Sequence, residues 1–426
     1  MTGSHVGSRF VIASCAMYLT LAVVPAVAQQ SADDDNLSGS KDVSEVGKIG
    51  RLHDNLRRSR ERHSLYETMS GLYGDYSAFK ARMDKEYGLS WSMDVSWLQQ
   101  WGESDGGSPS GQLLASPGGE WVLFKNDSIG EGSLQLLYLA ARYPTTQDAS
   151  DVQKSLGMIT PINDFPSYSN SFAQLTYTQA LPGNKVLLTA GQYPFWNFDS
   201  NQYFGNQQQG FNGYAFAQNG ASTYPVAGWG MYAQVNATST IQFAAGMQNA
   251  ANVSGSTLSV NDFGDGGYAW FGYAQWTPKF DGLGAAQYSA MYYQVPTVPA
   301  QKRTSGWSLN AVQNLDARWA VFARVNRAYD FVTPIRNTVA VGGAMNNPLG
   351  RSPTDQVALA FGVSEPAEPP TLPSTARNEK IIEAYWNWTI AKGLLLTPSV
   401  QYVLDPSLDR QRDDAWVASL RATLML

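Results

Sequence analysis

From about Gly88 to the C-terminus, apolar and polar residues alternate one by one in segment after segment. In WSMDVSW, Trp91, Met93, Val95 and Trp97 alternate with Ser92, Asp94 and Ser96. GWGMYAQVNA sets Trp229, Met231, Ala233 and Val235 against Gly230, Tyr232, Gln234 and Asn236, and IQFAAGMQ sets Ile241, Phe243, Ala245 and Met247 against Gln242 and Gln248. EAYWNWTI and the closing SLRATLML repeat the pattern. A period of two puts successive side chains on opposite faces of a strand, so each segment predicts one apolar and one polar face. About sixteen such segments follow one another, separated by turn signals such as PGNK, DGLG and NPLGRSP and by longer polar stretches. Residues 88–426 divided among about sixteen strands allow about 21 residues each. A tilted membrane-crossing strand takes about 9–11, which leaves about ten for each connection. That suits short turns alternating with long loops.

A soluble β-sandwich also alternates, but its outer face carries abundant Lys, Glu, Thr and Ser. Here only 15 % of residues are charged while 12 % are aromatic, and Trp97, Trp276 and Trp388 stand near expected strand ends. Aromatic girdles at two interfaces belong to outer-membrane barrels, and closure removes the unsatisfied backbone edges that lipid cannot hydrate. No later segment offers 18 consecutive apolar residues, so a second spanning helix is not expected. The predicted fold is all-β: a transmembrane antiparallel β-barrel of about 16 strands behind a short helical periplasmic segment.

The first 28 residues read as an export signal: Arg9, an apolar run from Phe10 to Val24, Pro25, then Ala26-Val27-Ala28. Ile12-Ala13-Ser14-Cys15 loosely resembles a lipoprotein box, but the apolar run continues past Cys15. Cleavage after Ala28 removes the single cysteine. Residues 29–41 are polar and acidic, a flexible linker. Between 42 and 87 apolar residues recur every three or four positions, a helical period weakened by Gly47, Gly50, Gly71 and Gly74. RRSRERH within it is either a solvated helix face or a basic patch for a partner or acidic headgroups. The barrel is assigned to 88–426.

Residues 197–220 carry five Asn, five Gln, six Phe or Tyr and one charge, Asp199. Two placements stay open for this stretch: folded into the lumen at a constriction, or outside as an extracellular loop.

Three stretches together resemble the OprB-type carbohydrate-selective porins. GDYSAFKARMDKEYGLSWSMDVSW is similar to the family's opening helix, glycine and first strand. GQYPFWNFDSNQYFGNQQQGFNGYAF resembles its G-R-x-x-x-N-x-x-F segment followed by F-x-N, and EAYWNWTIAKGLLLTPSVQYVLDPS with DDAWVASLRATLML resembles its closing hairpin, P-x-x-Q-Y-x-x-x-P. The likeness covers about residues 71–426. It departs at Tyr76-Ser77-Ala78, where the family has W-G-G, at Gln192 for Arg, and at Leu426 for a terminal aromatic. The resemblance implies an outer-membrane porin passing sugars down a gradient. Amides would serve sugar hydroxyls, aromatic rings would cover C–H faces, and few fixed charges would let the solute leave.

With the apolar face in lipid, strand phase turns Asp94, Gln234, Gln242, Arg324, Glu383, Asn387, Gln401 and Arg421 into the lumen, joined by Asn197 and Asp199 of the polar loop. These ten are the candidate substrate-contacting residues. A charged side chain facing lipid costs about 2–4 kcal/mol for Arg or Lys at the midplane. After export only His53 and His63 remain, both before the barrel, so no Ser–His–acid site is expected, nor any zinc or copper site. NDFGDGG lacks the spaced oxygens and terminal Glu of a calcium loop. No cofactor and no enzyme activity are expected, and the −6 net charge without a basic face argues against nucleic acid. Expected partners are sugars or small oligosaccharides and outer-membrane lipid, with a second copy or a periplasmic protein held through residues 42–70. A second reading makes the barrel a subunit of a larger export or envelope assembly, docked through that helix.

Overall fold

The computed structural model describes residues 67–103, 108–258, 267–330, 333–369, 371–391 and 393–426. The expected signal, the linker, the RRSRERH run and most of NDFGDGG lie outside the described residues. Sixteen strands form the wall: β1 (Leu89–Gly102), β2 (Ser110–Asn126), β3 (Gly130–Arg142), β4 (Ser169–Ala180), β5 (Val186–Tyr193), β6 (Gly228–Asn236), β7 (Ile241–Asn249), β8 (Tyr268–Trp276), β9 (Ala286–Val295), β10 (Thr304–Asn314), β11 (Trp319–Tyr329), β12 (Ile335–Asn346), β13 (Gln356–Pro366), β14 (Glu379–Ala391), β15 (Leu394–Leu404) and β16 (Asp414–Met425). Each pairs antiparallel with its sequence neighbours, and β16 closes on β1 with Asp94 opposite Met425. The barrel has the expected strand number and no free sheet edge between its first and last strands, apart from the start of β1 that runs past the end of β16.

The period-two pattern fixes which way each strand faces. On β1, Asp94, Ser96, Leu98 and Gln100 are buried, while Val95 and Trp97 between them are partly exposed. Leu309, Val321, Leu359 and Phe243 stand outward with 45–55 % of their surface open. Outward aromatics gather at two levels. Trp270, Tyr292, Trp307, Tyr329, Tyr402 and Trp416 lie toward one end, with Trp270 stacked near Tyr292 and Tyr402 near Trp416. Trp121, Trp276, Tyr288, Trp319 and Trp388 lie toward the other. Trp97 sits inside β1 rather than at an end. No described helix is long and apolar enough to cross a membrane; the crossing elements are strands.

The two barrel ends differ. Connections 127–129, 181–185, 237–240 and 315–318 are tight, whereas 143–168 and 194–227 at the opposite end are long. Gly130 closes the first tight turn at φ +88, where a Cβ would meet the Ala180 carbonyl, and Asn126 caps the same turn by accepting from the Ser128 and Ile129 amides. Short turns mark the periplasmic end of such barrels. Helix α1 (Glu67–Tyr87) enters at that end and passes directly into β1 through Gly88, whose φ of +65 breaks the helix where the hydrophobic period changes. It packs on the wall through the Tyr76 hydroxyl, which accepts from Trp91 Nε1 at 3.0 Å, and through Phe79 edge-on to the same indole.

A single closed sheet has no second layer to pack against, so the hydrophobic core of this molecule lies within the lumen. Inward aromatics on β8, β9, β11 and β14 (Phe271 and Tyr273, Tyr293, Phe322, Tyr385) pack against rings delivered by residues 194–227.

Candidate functional site

Residues 194–227 leave β5 and return to β6 by way of the far wall. The root of this loop is aromatic. A 3-10 turn, Phe195–Phe198, puts Phe195 and Phe198 against Phe271 at centroid distances of 4.8 and 4.4 Å, and Tyr224 on the returning arm meets Tyr293 at 4.9 Å. Each buried ring removes about 150–250 Å² from water, which secures the root.

The next residue, Asp199, is 1 % exposed. Its carboxylate accepts from Asn219 Nδ2 at 2.6 Å, the Tyr224 hydroxyl at 3.0 Å and Asn310 Nδ2 at 3.3 Å. Arg324 on β11 donates through Nη2 to the Asp199 and Phe204 carbonyls and through Nε to Asn310 Oδ1 at 2.9 Å. Asn201 then accepts from the Tyr203 and Phe204 amides, turning the chain so that Tyr203 stacks on Phe322 at 4.7 Å. Phe204, Phe211 and Phe216 complete the second ring cluster, with Phe211 edge-on to Tyr385.

Between these rings the chain presses its polar tip against β14–β16, β1 and β2. Arg421 donates to the carbonyls of Gln207 and Gly210 and to Asn212 Oδ1. Glu383 accepts from the amides of Asn212 and Gly213 at 2.7 and 2.8 Å. Asn387 donates to the Gln209 carbonyl, Thr423 to that of Gln208, and Gln209 Nε2 donates to Asp94 Oδ2 at 2.9 Å. Gln208 reaches Ser96 and Ser116.

The second long connection, 143–168, folds in beside the first. Its helix α2 (Ala149–Ser155) opens with a capping box between Asp148 and Asp151. Glu379 then accepts from the amides of Ile159, Thr160 and Ser407, while Gln401 and Gln100 both donate to the Ile162 carbonyl. Asp164 lies where the two loops meet: its amide donates to Gln207 Oε1 and its carboxylate accepts from Gln218 at 3.2 Å. Burial raises this carboxyl to about 6, against the hydrogen bond from Gln218 and the charge of Arg324. Tyr214, on the four-residue helix α3 (Tyr214–Ala217), is pushed up to about 12, first by burial and then by Asp164.

All ten candidate residues point inward and none is more than 7 % exposed. Asp94, Arg324, Glu383, Asn387 and Arg421 hold loop 194–227, Gln401 holds loop 143–168, and Asn197 donates to Gln174 from the loop itself. Gln234 and Gln242 sit apart on β6 and β7, both donating to Asn236 Oδ1. Loop 197–220 thus lies inside, and its Phe198, Tyr203, Phe204, Phe211 and Phe216 are buried as anchors. Asn310 and Glu379 were missed, although the alternation around WSLNAVQN turns Asn310 inward. Asp164 lies on a loop and carries no periodic signal.

Residues 144–426 match the family described as carbohydrate-selective porin, OprB family. The chain is 32 % identical over 351 residues to Porin AaxA of Chlamydia abortus, covering 80 % of this chain and 78 % of that one. Against Porin AaxA of Chlamydia caviae the identity is 30 % over 390 residues, covering 88 % and 86 %. The solved high-pH structure of Pseudomonas putida OprB shares the fold, with a TM-score of 0.68 over 83 % of this chain and 97 % of that one at 15 % identity. Family and neighbours point to a channel rather than an enzyme. This chain belongs to the OprB family of carbohydrate-selective porins and is an outer-membrane porin.

Proposed function

We propose that the pore carries uncharged sugars or small oligosaccharides passively into the periplasm. The observation that carries this reading is the chemistry of the wall on β3–β7. There Ser133, Gln135, Gln174, Thr176, Thr178 and Thr189 form a hydroxyl and amide network facing inward. Gln135 donates to Ser133 and to the Glu120 carboxyl on β2, Thr176 and Thr178 donate to Gln135, and Thr178 pairs with Thr189 at 2.9 Å. These six are at most 2 % exposed, so a sugar reaches them by replacing the bonds they make with one another; such groups both donate and accept, which allows that exchange one for one. A wall poor in charge, with the Glu120 carboxyl bonded to Gln135, also binds weakly enough to release its solute. Gln234 and Gln242 continue this wall, while the charges of Asp94, Asp199, Arg324, Glu383 and Arg421 are turned onto the loops.

The reading includes export through a signal removed after Ala28 and a periplasmic position for the segment 42–87. In planar bilayers the purified protein is expected to conduct ions, with the current reduced by oligosaccharides in a sugar-dependent way. Ion conductance without any sugar effect would end the carbohydrate reading and leave a general porin. Mass spectrometry of the membrane-inserted chain is expected to find Gln29 at its N-terminus.

A further inference from the structure

We infer that Arg142, Tyr168 and Asn170 form a binding site on the outer wall for a phosphate group of an outer-leaflet glycolipid. The inference rests on the outer-membrane placement, not on what the lumen carries.

Strand β3 runs from the tight turn 127–129 to the long connection 143–168, so Arg142 ends it on the extracellular side. Leu134, Leu136 and Tyr138 alternate outward before it, and the same period turns Arg142 to the lipid side. The other outward cations of the strands at this end have acids beside them. Arg336 pairs with Glu365 and Glu368, Lys380 pairs with Asp405, and Arg327 stands opposite Asn337, which donates to Glu365. Among the described residues no carboxylate pairs with Arg142. Its charge is left for a group outside the chain.

The guanidinium is also held in place. Nη1 donates to the Ala141 and Ser169 carbonyls at 2.9 and 3.1 Å, and Nη2 donates to Asn170 Oδ1 at 2.7 Å. Asn170 Oδ1 accepts as well from the Tyr138 hydroxyl, and Asn170 Nδ2 donates to the Tyr168 hydroxyl at 2.7 Å. Tyr168 lies against the cation, 4.3 Å from ring centroid to guanidinium carbon, yet stays 62 % exposed. Nε and the second hydrogen of Nη2 make no bond among the described residues, so two of the five donors remain for phosphate oxygens. A cation fixed in advance loses little freedom on binding.

Below this polar head the surface is apolar. Tyr138 and Phe172 pack at 4.9 Å on the outward face of β3 and β4, and Leu113 and Leu136 beside them stand 40 % and 42 % exposed. A free anion would use only the head, and a water-soluble partner would not meet the part in hydrocarbon. The occupant that suits both is an amphiphile, its phosphate on Arg142, a sugar face on the open side of Tyr168 and acyl chains along Tyr138, Phe172 and Leu136.

The test titrates the full-length barrel in detergent micelles with diphosphoryl lipid A, with its dephosphorylated form and with inorganic phosphate, and reads the bound fraction by native mass spectrometry. The parent is expected to retain diphosphoryl lipid A and to hold the dephosphorylated form about ten-fold more weakly, the order for losing one charge-assisted hydrogen bond. Inorganic phosphate that competes at millimolar concentration would assign the site to a free anion and overturn the lipid reading. Arg142→Gln is expected to weaken retention about ten-fold, and Tyr168→Ala several-fold. Arg327→Gln is expected to match the parent. Unit conductance and unheated-gel mobility should stay parental in all three, since none of these residues faces the lumen. Equal retention by the parent and a folded Arg142→Gln overturns the proposal, as does an equal loss in Arg327→Gln, which would report net charge alone. A changed oligomeric state in Arg142→Gln without a change in retention would give the face to a second copy, and also overturns it. If Arg142→Gln does not fold, Tyr168→Ala decides, because it leaves the strands intact. Failure of the porin reading would look different, as no channels from the parent while lipid retention is still measured.

Discussion

Strand β10 offers a direct test of which face meets lipid. Its outward positions are Ser305, Trp307, Leu309, Ala311 and Gln313, and Leu309 is the middle one with 50 % of its surface open. It is flanked by Ala290 on β9 and Val325 on β11. An arginine there faces hydrocarbon at mid-depth, costing about 2–4 kcal/mol, and the lost leucine adds up to about 1.5–3 kcal/mol. Leu309→Arg should therefore destabilise the inserted barrel by about 4–7 kcal/mol, comparable with the whole 5–15 kcal/mol of an ordinary domain. Ser305→Arg introduces the same charge at the loop end of the same face, where about 0–1 kcal/mol is expected. The measurement is reversible urea unfolding from phosphocholine vesicles, followed by tryptophan fluorescence and by gel mobility without heating. Equal costs at the two positions would refute the depth dependence and with it the assignment of this face to lipid.

Acidity should act through Asp164. Its carboxyl titrates near 6 where the two loops meet, against 3.8 when hydrated. The form with both loops folded in therefore binds a proton more readily, so folding in is favoured as pH falls through about 6 toward 3.8 and is opposed above it. The opposition reaches about 3 kcal/mol at neutral pH before solvent screening reduces it. Conductance should thus fall between pH 7 and pH 5, and Asp164→Asn should abolish that fall; persistence of the pH effect in the variant would locate it elsewhere. Helix α1 should detach in Trp91→Ala, which removes the indole that Tyr76 and Phe79 contact. Two ring pairs at about 0.5–1.5 kcal/mol each imply roughly ten-fold faster trypsin cleavage at Lys80, Arg82 or Lys85. Cleavage at the parental rate would show that the helix is held by other contacts.

What the sequence disclosed divides along the range of the interactions involved. Strand phase is local: Val321, Ala323 and Val325 must share a face, so Arg324 between them must turn inward, whatever the rest of the chain does. The same reasoning placed Glu383 and Arg421 correctly, and the step from helix to strand at Gly88 is written in one residue able to adopt positive φ. The partners of those inward charges were not legible. Asn212 meets Glu383 across 171 residues and Gln207 meets Arg421 across 214, and no period connects them. Composition announced that 197–220 was unusual, yet amides and rings suit a solvated loop as well as a buried one. Only the opposite wall decides: Phe322 and Tyr385 point inward on β11 and β14 and give the loop rings somewhere to pack.

That arrangement ties stability to selectivity. A barrel wall buries only its contacts with lipid and with whatever fills its centre, so rings placed in the lumen supply the packing that a second layer supplies in a soluble protein. Every ring that does so also narrows the passage. The chain reconciles the two demands by sector. Aromatic anchors occupy β5, β6, β8, β9, β11 and β14, and buried charges matched to the loops occupy β1, β11, β14 and β16. Hydroxyls and amides concentrate on β3–β7, beside Tyr193 and Tyr232. Changes in the first sector should therefore alter folding, changes in the second the hold on the loops, and changes in the third the preference among sugars of equal size. A substitution such as Thr178→Val, which keeps shape but removes a hydroxyl from the third sector, should change sugar-dependent block while leaving unit conductance and gel mobility at parental values.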